Sequence, residues 1–461
     1  MDSSGIGGSL FEQLRVGAPK ADAGGGYVDL HDRLLRVAAV GFLVMVLLAP
    51  LMSLNEMTMS GAGNSARQIG YIAFLALTLW GSRPLERGLG IIAMPWPILL
   101  ALGWCVLSLF WAVDPDIGSR RLLLTVLTIW TVFLLVKFGG YQSILDILRG
   151  ALVVALLINY IVVFVDQPTG VHLLKDSAMP TALIGNWRGF MAHKNFAGAA
   201  SALLILLFLF DAKRIPTLLR IAVIVAAGYF LFRTQSKTSA GMLGIAMLVG
   251  WMFQTLSRRL RSYLIPIVTI VTCFVWVMTT AYLDVLEVNY LEPSAFTGRG
   301  QIWAVLVRYA TANPIYGAGF GSFWNIGGNS PVYSYGSGFA LLVTVGHNGY
   351  LDLLVTVGLP GLALIVFAAI VWPMWRLLTS NRIVPARGAM LVAMLLFCMG
   401  HNITESSLFE RDALVGVMMM FVVAFTQFAT ADLDERRVKG DAGDDVLRTM
   451  RRRRREAARL V

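Results

Sequence analysis

An all-α, polytopic helical membrane protein of about twelve spans is the fold this sequence predicts. Three observations predict it. Of the 461 residues, 57% are hydrophobic and 14% charged, far below the roughly 25% charged of a soluble domain. Mean hydropathy is +0.69. Apolar runs able to cross a hydrocarbon core of ~30 Å recur along most of the chain.

Taken in order, the runs place candidate spans at 34–53, 69–82, 91–112, 121–138, 148–166, 195–211, 217–233, 238–256, 263–283, 359–379, 386–402 and 412–430. The second and fourth are the shortest for the task. The opening residues Met1 to Gly8 hold no basic stretch leading into an apolar one, so no cleaved signal peptide is expected. With both termini cytoplasmic, 27 of the 38 Lys and Arg fall inside and 11 outside, as the positive-inside rule requires. Segments 1–30 and 431–461 flank a 31–430 membrane domain. The first is Gly-rich and reads as disordered. The second ends in Arg451–Arg455 and reads as a tail drawn to anionic lipid. The formal charge of +11 therefore implies no nucleic-acid partner, since no aromatic or fold signal accompanies it. Cys105, Cys273 and Cys398 lie singly in apolar runs and read as small buried hydrophobes.

Two outer loops stand out, about 166–194 and the longer 284–358 between spans nine and ten. The second contains Asn313-Pro-Ile-Tyr-Gly-Ala-Gly-Phe-Gly321, whose aromatic density favours a folded, ligand-facing cap. It ends in His347, Leu351, Leu354, Gly358 and Gly361, spaced four, three, four and three, which predicts one face of a helix headed by a histidine. Imidazole ordinarily titrates at about 6.5, so a histidine there is a candidate base toward a hydroxyl; helix capping is the structural alternative.

The outer face should be poor in cations, yet it carries Arg120, Arg121, Arg188, Lys194, Arg233, Lys237, Arg299, Arg308 and Arg411, with His193 beside Lys194 and Glu405 in the same stretch as Arg411. The simplest reason is an anion, and the planar fork of arginine suits a lipid diphosphate. For Arg120 and Arg121, snorkelling at a helix end accounts for the charge as well as function does. Arg188 and Arg299 sit in Gly-flanked, Trp-containing loop motifs, which favours function. Asp114-Pro115-Asp116 has the D-x-D form used by some metal-dependent glycosyltransferases, but two arginines follow it and no acidic or histidine cluster joins it, so no metal site is expected.

These motifs resemble the O-antigen ligase and Wzy-type polysaccharide polymerase superfamily of bacterial inner membranes. The resemblance rests on His347-Asn348 with Leu351, Leu354, Gly358 and Gly361; on Trp187-Arg188-Gly189 with His193-Lys194-Asn195; on Thr297-Gly298-Arg299 with Trp303; and on Trp111 with Asp114-Pro115. It implies glycosyl transfer at the periplasmic face from an oligosaccharide on undecaprenyl diphosphate, without metal or other cofactor. Arg188 and Arg299 would grip the diphosphate and His347 would deprotonate the acceptor, inverting the anomeric carbon. Arg120, Arg121, His193, Lys194, Trp303 and Glu405 would bind substrate or support those groups. Implied partners are the lipid-linked oligosaccharide, the bilayer, and chain-length and export proteins.

The wording of the arginine motifs is most similar to exopolysaccharide polymerases of the succinoglycan type. Ligases that pass glycan to lipid A–core share the histidine motif, so that alternative stays open. A transporter of lipid-linked or anionic substrate is a further alternative, disfavoured by nearly charge-free spans and the lack of an internal repeat.

Overall fold

The computed structural model describes residues 30–53, 64–84, 88–173, 183–290, 299–336, 338–381 and 383–430. Thr297, Gly298, the N-terminal segment before Leu30 and the basic tail from Ala431 lie outside the described residues. Apart from two isolated β-bridges, the regular structure among the described residues is helical. This is a helical membrane protein.

The helices are α1 (Leu30–Ser53), α2 (Ser65–Gly81), α3 (Trp96–Leu107, prolonged by a 3-10 turn to Trp111), α4 (Pro115–Gly139), α5 (Tyr141–Val165), α6 (Lys194–Leu209) and α7 (Thr217–Thr234). There follow α8 (Lys237–Thr255), α9 (Arg258–Tyr290), α10 (Arg299–Ala312), α11 (Gly349–Val366), α12 (Trp372–Thr379), α13 (Pro385–His401) and α14 (Leu414–Thr430). A π-turn at Phe367–Val371 joins α11 to α12. By length and composition, four described helices suffice to cross a membrane: Pro115–Gly139, Tyr141–Val165, Thr217–Thr234 and the joined Gly349–Thr379. The fourth expected span, read as short, is thus a 25-residue helix. Its start was hidden because Asp114, Asp116 and two arginines interrupt the apolar run. The Asp114 side chain accepts from Ile117 N at 2.8 Å and Pro115 opens the first turn, the usual chemistry of a helix start.

Burial sorts the helices into layers. Most residues of α13 and α14 are buried, as expected for helices apolar on all sides within a bundle. The outer helices leave large apolar side chains uncovered, among them Leu218, Phe232, Ile270 and Phe274, which suits contact with acyl chains. The polar turn 402–413 joins these two buried helices.

The region expected to be a long loop is largely helical. Its cap has a small core of its own, in which Ile302, Leu306 and Tyr309 of α10 pack on Ala318, Phe323 and Val332. The edge-on contacts of Tyr309 with Phe323 and Tyr335, each at 5.1 Å, are of the favoured aromatic geometry.

The four-three spacing from His347 to Gly361 does not form one continuous helical face. Asn348 is the N-cap of α11, accepting from Tyr350 N and Leu351 N at 3.1 Å. His347 lies outside the helix with φ 50°. Gly358 takes φ 67° and interrupts α11 before Pro360. There the backbone passes so close to Ile315 that a Cβ would collide with its carbonyl. Leu359 N donates to Pro314 O at 2.8 Å instead of within the helix. The spacing thus marks a kink where the glycine-rich strap 313–321 docks.

Candidate active site

The turn 402–413 is fixed to the start of α11 by main-chain and amide bonds. Asn402, fully buried, accepts through Oδ1 from Ser407 N and Oγ at 2.9 and 3.0 Å. Gly349 N donates to Asn402 O at 2.9 Å and to Glu405 O at 3.1 Å, and Asn348 N donates to Ser406 Oγ at 3.0 Å. A Cβ at Gly349 would collide with the Asn402 side chain, so glycine at this position permits the close approach.

This docking brings Glu405 to His347. The imidazole Nδ1 lies 3.3 Å from Glu405 Oε2. Arg299 Nη2, at the start of α10, donates to Oε1 at 2.7 Å, and Asn195 Nδ2, at the start of α6, donates to the same oxygen at 2.5 Å. Glu405 is 6% exposed. Burial alone would raise its pKa, but the hydrogen bond from His347 and the charges of His347, Arg299 and His401 outweigh it and hold the carboxyl well below the usual range. An ionised carboxylate can only accept. His347 Nδ1 therefore carries the proton in this contact, and in the neutral ring the lone pair is on Nε2.

The supports behind His347 are equally specific. Trp303 Nε1 donates to Gly346 O at 3.0 Å. Asp352 accepts from Gly346 N at 3.1 Å, from Trp324 Nε1 at 2.8 Å and from Ser406 Oγ. The segment before the histidine is thus clamped on both sides, which maintains the left-handed backbone at His347.

His193 is the N-cap of α6, its Nδ1 accepting from Asn195 N at 3.2 Å. Burial pushes its pKa down to about 4 against the opposing charge of Glu405, so it enters the site as a neutral ring and not as a cation. Lys194 Nζ donates to Gln235 O at 3.2 Å. Below Glu405, His401 is buried, with neither ring nitrogen hydrogen-bonded among the described residues.

Arg188 Nε and Nη2 donate to the carbonyls of Thr169 and Pro168 at 2.8 and 3.3 Å. The preceding Trp187 is 5% exposed, with the Arg233 guanidinium 4.4 Å from its ring centroid. That stacking explains why tryptophan precedes Arg188: the ring anchors the loop that carries it.

A cavity of about 890 Å³ joins these groups. Arg120, Arg121, Arg188, His193, His347 and Glu405 all line it, whereas Lys194, Arg299 and Trp303 are set back from its wall. Arg121 has a structural role in the cap, donating to the carbonyls of Gly321, Trp324 and Asn325 at 2.6, 2.7 and 3.1 Å. Arg120 Nε donates to Asp116 O at 3.3 Å.

The wall also holds charged pairs outside the histidine and arginine motifs. Arg67 forms a buried ion pair with Asp412, Nε to Oδ2 at 2.8 Å. Arg411 pairs with Glu410, Nε to Oε1 at 2.7 Å. Five arginines of the wall (67, 120, 121, 188 and 411) thus face four carboxylates (352, 405, 410 and 412). The basic residues expected to hold an anion thus share the cavity with carboxylates. A charged residue at the head of α2 was the available signal for Arg67, since ionisable groups at a membrane span commonly carry function.

Fold and site together define a helical membrane protein with a histidine–carboxylate–arginine constellation at the rim of a capped cavity. Residues 221–366, from α7 to the end of α11, match the O-antigen ligase family model, which supports the resemblance to the O-antigen ligase and Wzy-type polymerase superfamily. That segment contains Arg299 and His347; Glu405, Arg188 and Arg120 reach the cavity from outside it. No curated protein matches the chain.

Proposed function

We propose that the protein is a polysaccharide polymerase of the bacterial inner membrane. It takes glycan from an undecaprenyl-diphosphate-linked donor and passes it to a lipid-linked acceptor at the periplasmic face, with about twelve spans and both termini cytoplasmic. The observation that carries this reading is Glu405 standing between His347 and Arg299 at the edge of the cavity.

The chemistry follows from that contact. With Nδ1–H directed at Glu405, Nε2 of His347 accepts the proton of the acceptor hydroxyl, and the ionised carboxylate stabilises the imidazolium that forms. The freed oxygen attacks the anomeric carbon from the face opposite the diphosphate. The bond from that carbon to the diphosphate oxygen breaks as the new glycosidic bond forms, inverting the centre. Arg188 and Arg120, which line the cavity, together with Arg299 offset the charge gathering on the departing diphosphate. Guanidinium groups suffice for that neutralisation, so the reading calls on no metal.

The name of the matched family supports a second reading, a ligase whose acceptor is lipid A–core. One experiment separates the two. Purified protein is given lipid-linked repeat units in the presence of a chelator, with and without lipid A–core. Polymer ladders from wild type and none from His347→Ala support polymerisation. Product formed only when lipid A–core is added supports ligation. Full ladders from His347→Ala, Arg188→Ala and Arg299→Ala alike would overturn the roles given to these residues, and no product from wild type with either acceptor would overturn both readings.

A further inference from the structure

The cavity extends well beyond the Glu405 cluster, and its other part is chemically different. Arg67 and Asp412 neutralise each other, as do Arg411 and Glu410. Burial alone would raise the Glu410 pKa, but the adjacent Arg411 and the charges of Arg121 and Arg67 hold its carboxyl below the ordinary value. Arg67, Arg121 and Arg411 line the cavity together with Glu410. Arg121 in turn holds the carbonyls of Trp324 and Asn325, which brings that stretch of the cap to the same place. Asn325, held at φ 52°, lines the cavity with Gln68 and Trp324.

A phosphate would be poorly received there. The Glu410 side chain is 47% exposed and lines the cavity, and a like charge at close range repels an anion. Two ion pairs, two carboxamides and an indole instead present donors and acceptors there, and the Arg121 guanidinium is committed to the carbonyls of Gly321, Trp324 and Asn325. That set suits a neutral, hydroxyl-rich ligand. The volume of about 890 Å³ lies toward the upper end of the ~300–1,000 Å³ of ordinary ligand sites, so it can take a glycan segment besides the diphosphate.

We infer that the part of the cavity bounded by Arg67, Gln68, Asn325, Glu410, Arg411 and Asp412 is a carbohydrate subsite for the acceptor glycan. The assignment as acceptor rests on the transfer reaction proposed above; the affinity for carbohydrate does not.

The test uses the full-length protein in nanodiscs and two probes. One is the phosphate-free repeat-unit oligosaccharide released by mild acid from the producing cell's own polymer; the other is inorganic diphosphate. Equilibrium binding of each is measured in wild type, Gln68→Ala and Arg411→Gln. The expected result is about tenfold weaker oligosaccharide binding in both variants, the size of one or two lost hydrogen bonds, with diphosphate binding unchanged. Because these side chains are at least partly exposed, the variants should fold, and a melting curve checks that they do. Three results overturn the inference: wild type that does not bind the oligosaccharide, variants that bind it as wild type does, or variants that lose diphosphate to the same degree, as a headgroup site would. If wild type binds the oligosaccharide but forms no ladder from lipid-linked repeat units, the polymerase reading fails while the carbohydrate subsite stands.

Discussion

Glu405 and Glu410 lie five residues apart on the same turn, line the same cavity and are both held ionised, yet they are built in opposite ways. Glu405 is buried, and its partners His347, Arg299 and Asn195 are 58, 106 and 210 residues distant in the chain. Glu410 is half exposed and paired with its immediate neighbour Arg411. A carboxylate assembled from four separate elements fixes the orientation of a ring and a guanidinium. One paired next door fixes little beyond itself. The difference teaches that the first is a positioning device for chemistry and the second a surface for contact.

The largest expected effect lies at the first. His347→Ala should lower the initial rate of polymer formation by about 10²–10⁴-fold, the range of a lost general base. A rate within threefold of wild type would remove the histidine from the mechanism. Next is the structural ion pair. Arg67→Met leaves Asp412 buried and charged, so it should destabilise folding by about 3–5 kcal/mol; denaturant titration in detergent measures it. A loss below about 1 kcal/mol would show that water reaches Asp412 and that the pair belongs with the exposed ones.

Glu405→Gln keeps the shape and removes the charge, so a loss of about 10–100-fold in rate is expected, as for other groups that orient a functional histidine. Its stability difference from wild type also has a predictable pH course. The folded pKa of Glu405 is depressed, so its contribution is fully present above the ordinary carboxylate value of about 4.3 and is lost as pH falls through the lower folded value. The gap in melting temperature between wild type and Glu405→Gln should be constant at neutral pH and close on acidification. A gap that closes between pH 6 and 8 would contradict the assignment. His193 works in the opposite sense. Its folded pKa of about 4 lies below the ordinary 6.5, so the unfolded chain binds the proton first and stability falls as pH drops from about 6.5 to 4. His193→Asn, which keeps a cap for α6, should flatten that limb.

Much of this was legible in the sequence, for identifiable reasons. The helices announce themselves because apolar runs must be long to cross a bilayer. Arg188, Arg299 and His347 stand out because cations and a histidine on an outer face need an explanation. Apart from Glu405, the carboxylates of the cavity were hidden. Charge-asymmetry reasoning counts Lys and Arg and gives little weight to Asp and Glu, so Asp352, Glu410 and Asp412 carried no signal. Arg67 stood just ahead of an apolar run and passed as a flank. The break in α11 was hidden too, because Gly358 sits in register with the leucines and its left-handed backbone arises from the docked strap, a contact made across the fold.

The smallest expected effect sharpens the comparison most. Arg411→Gln should change folding stability by less than about 1 kcal/mol, because an exposed pair of neighbouring residues contributes little. Arg411 nevertheless has a backbone φ of 27°, and Phe409 nearby one of 55°, conformations that cost a side-chain-bearing residue about 1–3 kcal/mol each. The pair does not return that cost in stability. A strained turn that presents its charged groups to a cavity is better accounted for by what the cavity binds. A denaturant midpoint that drops as far for Arg411→Gln as for Arg67→Met would make the turn a structural device and erase the distinction between the two carboxylates.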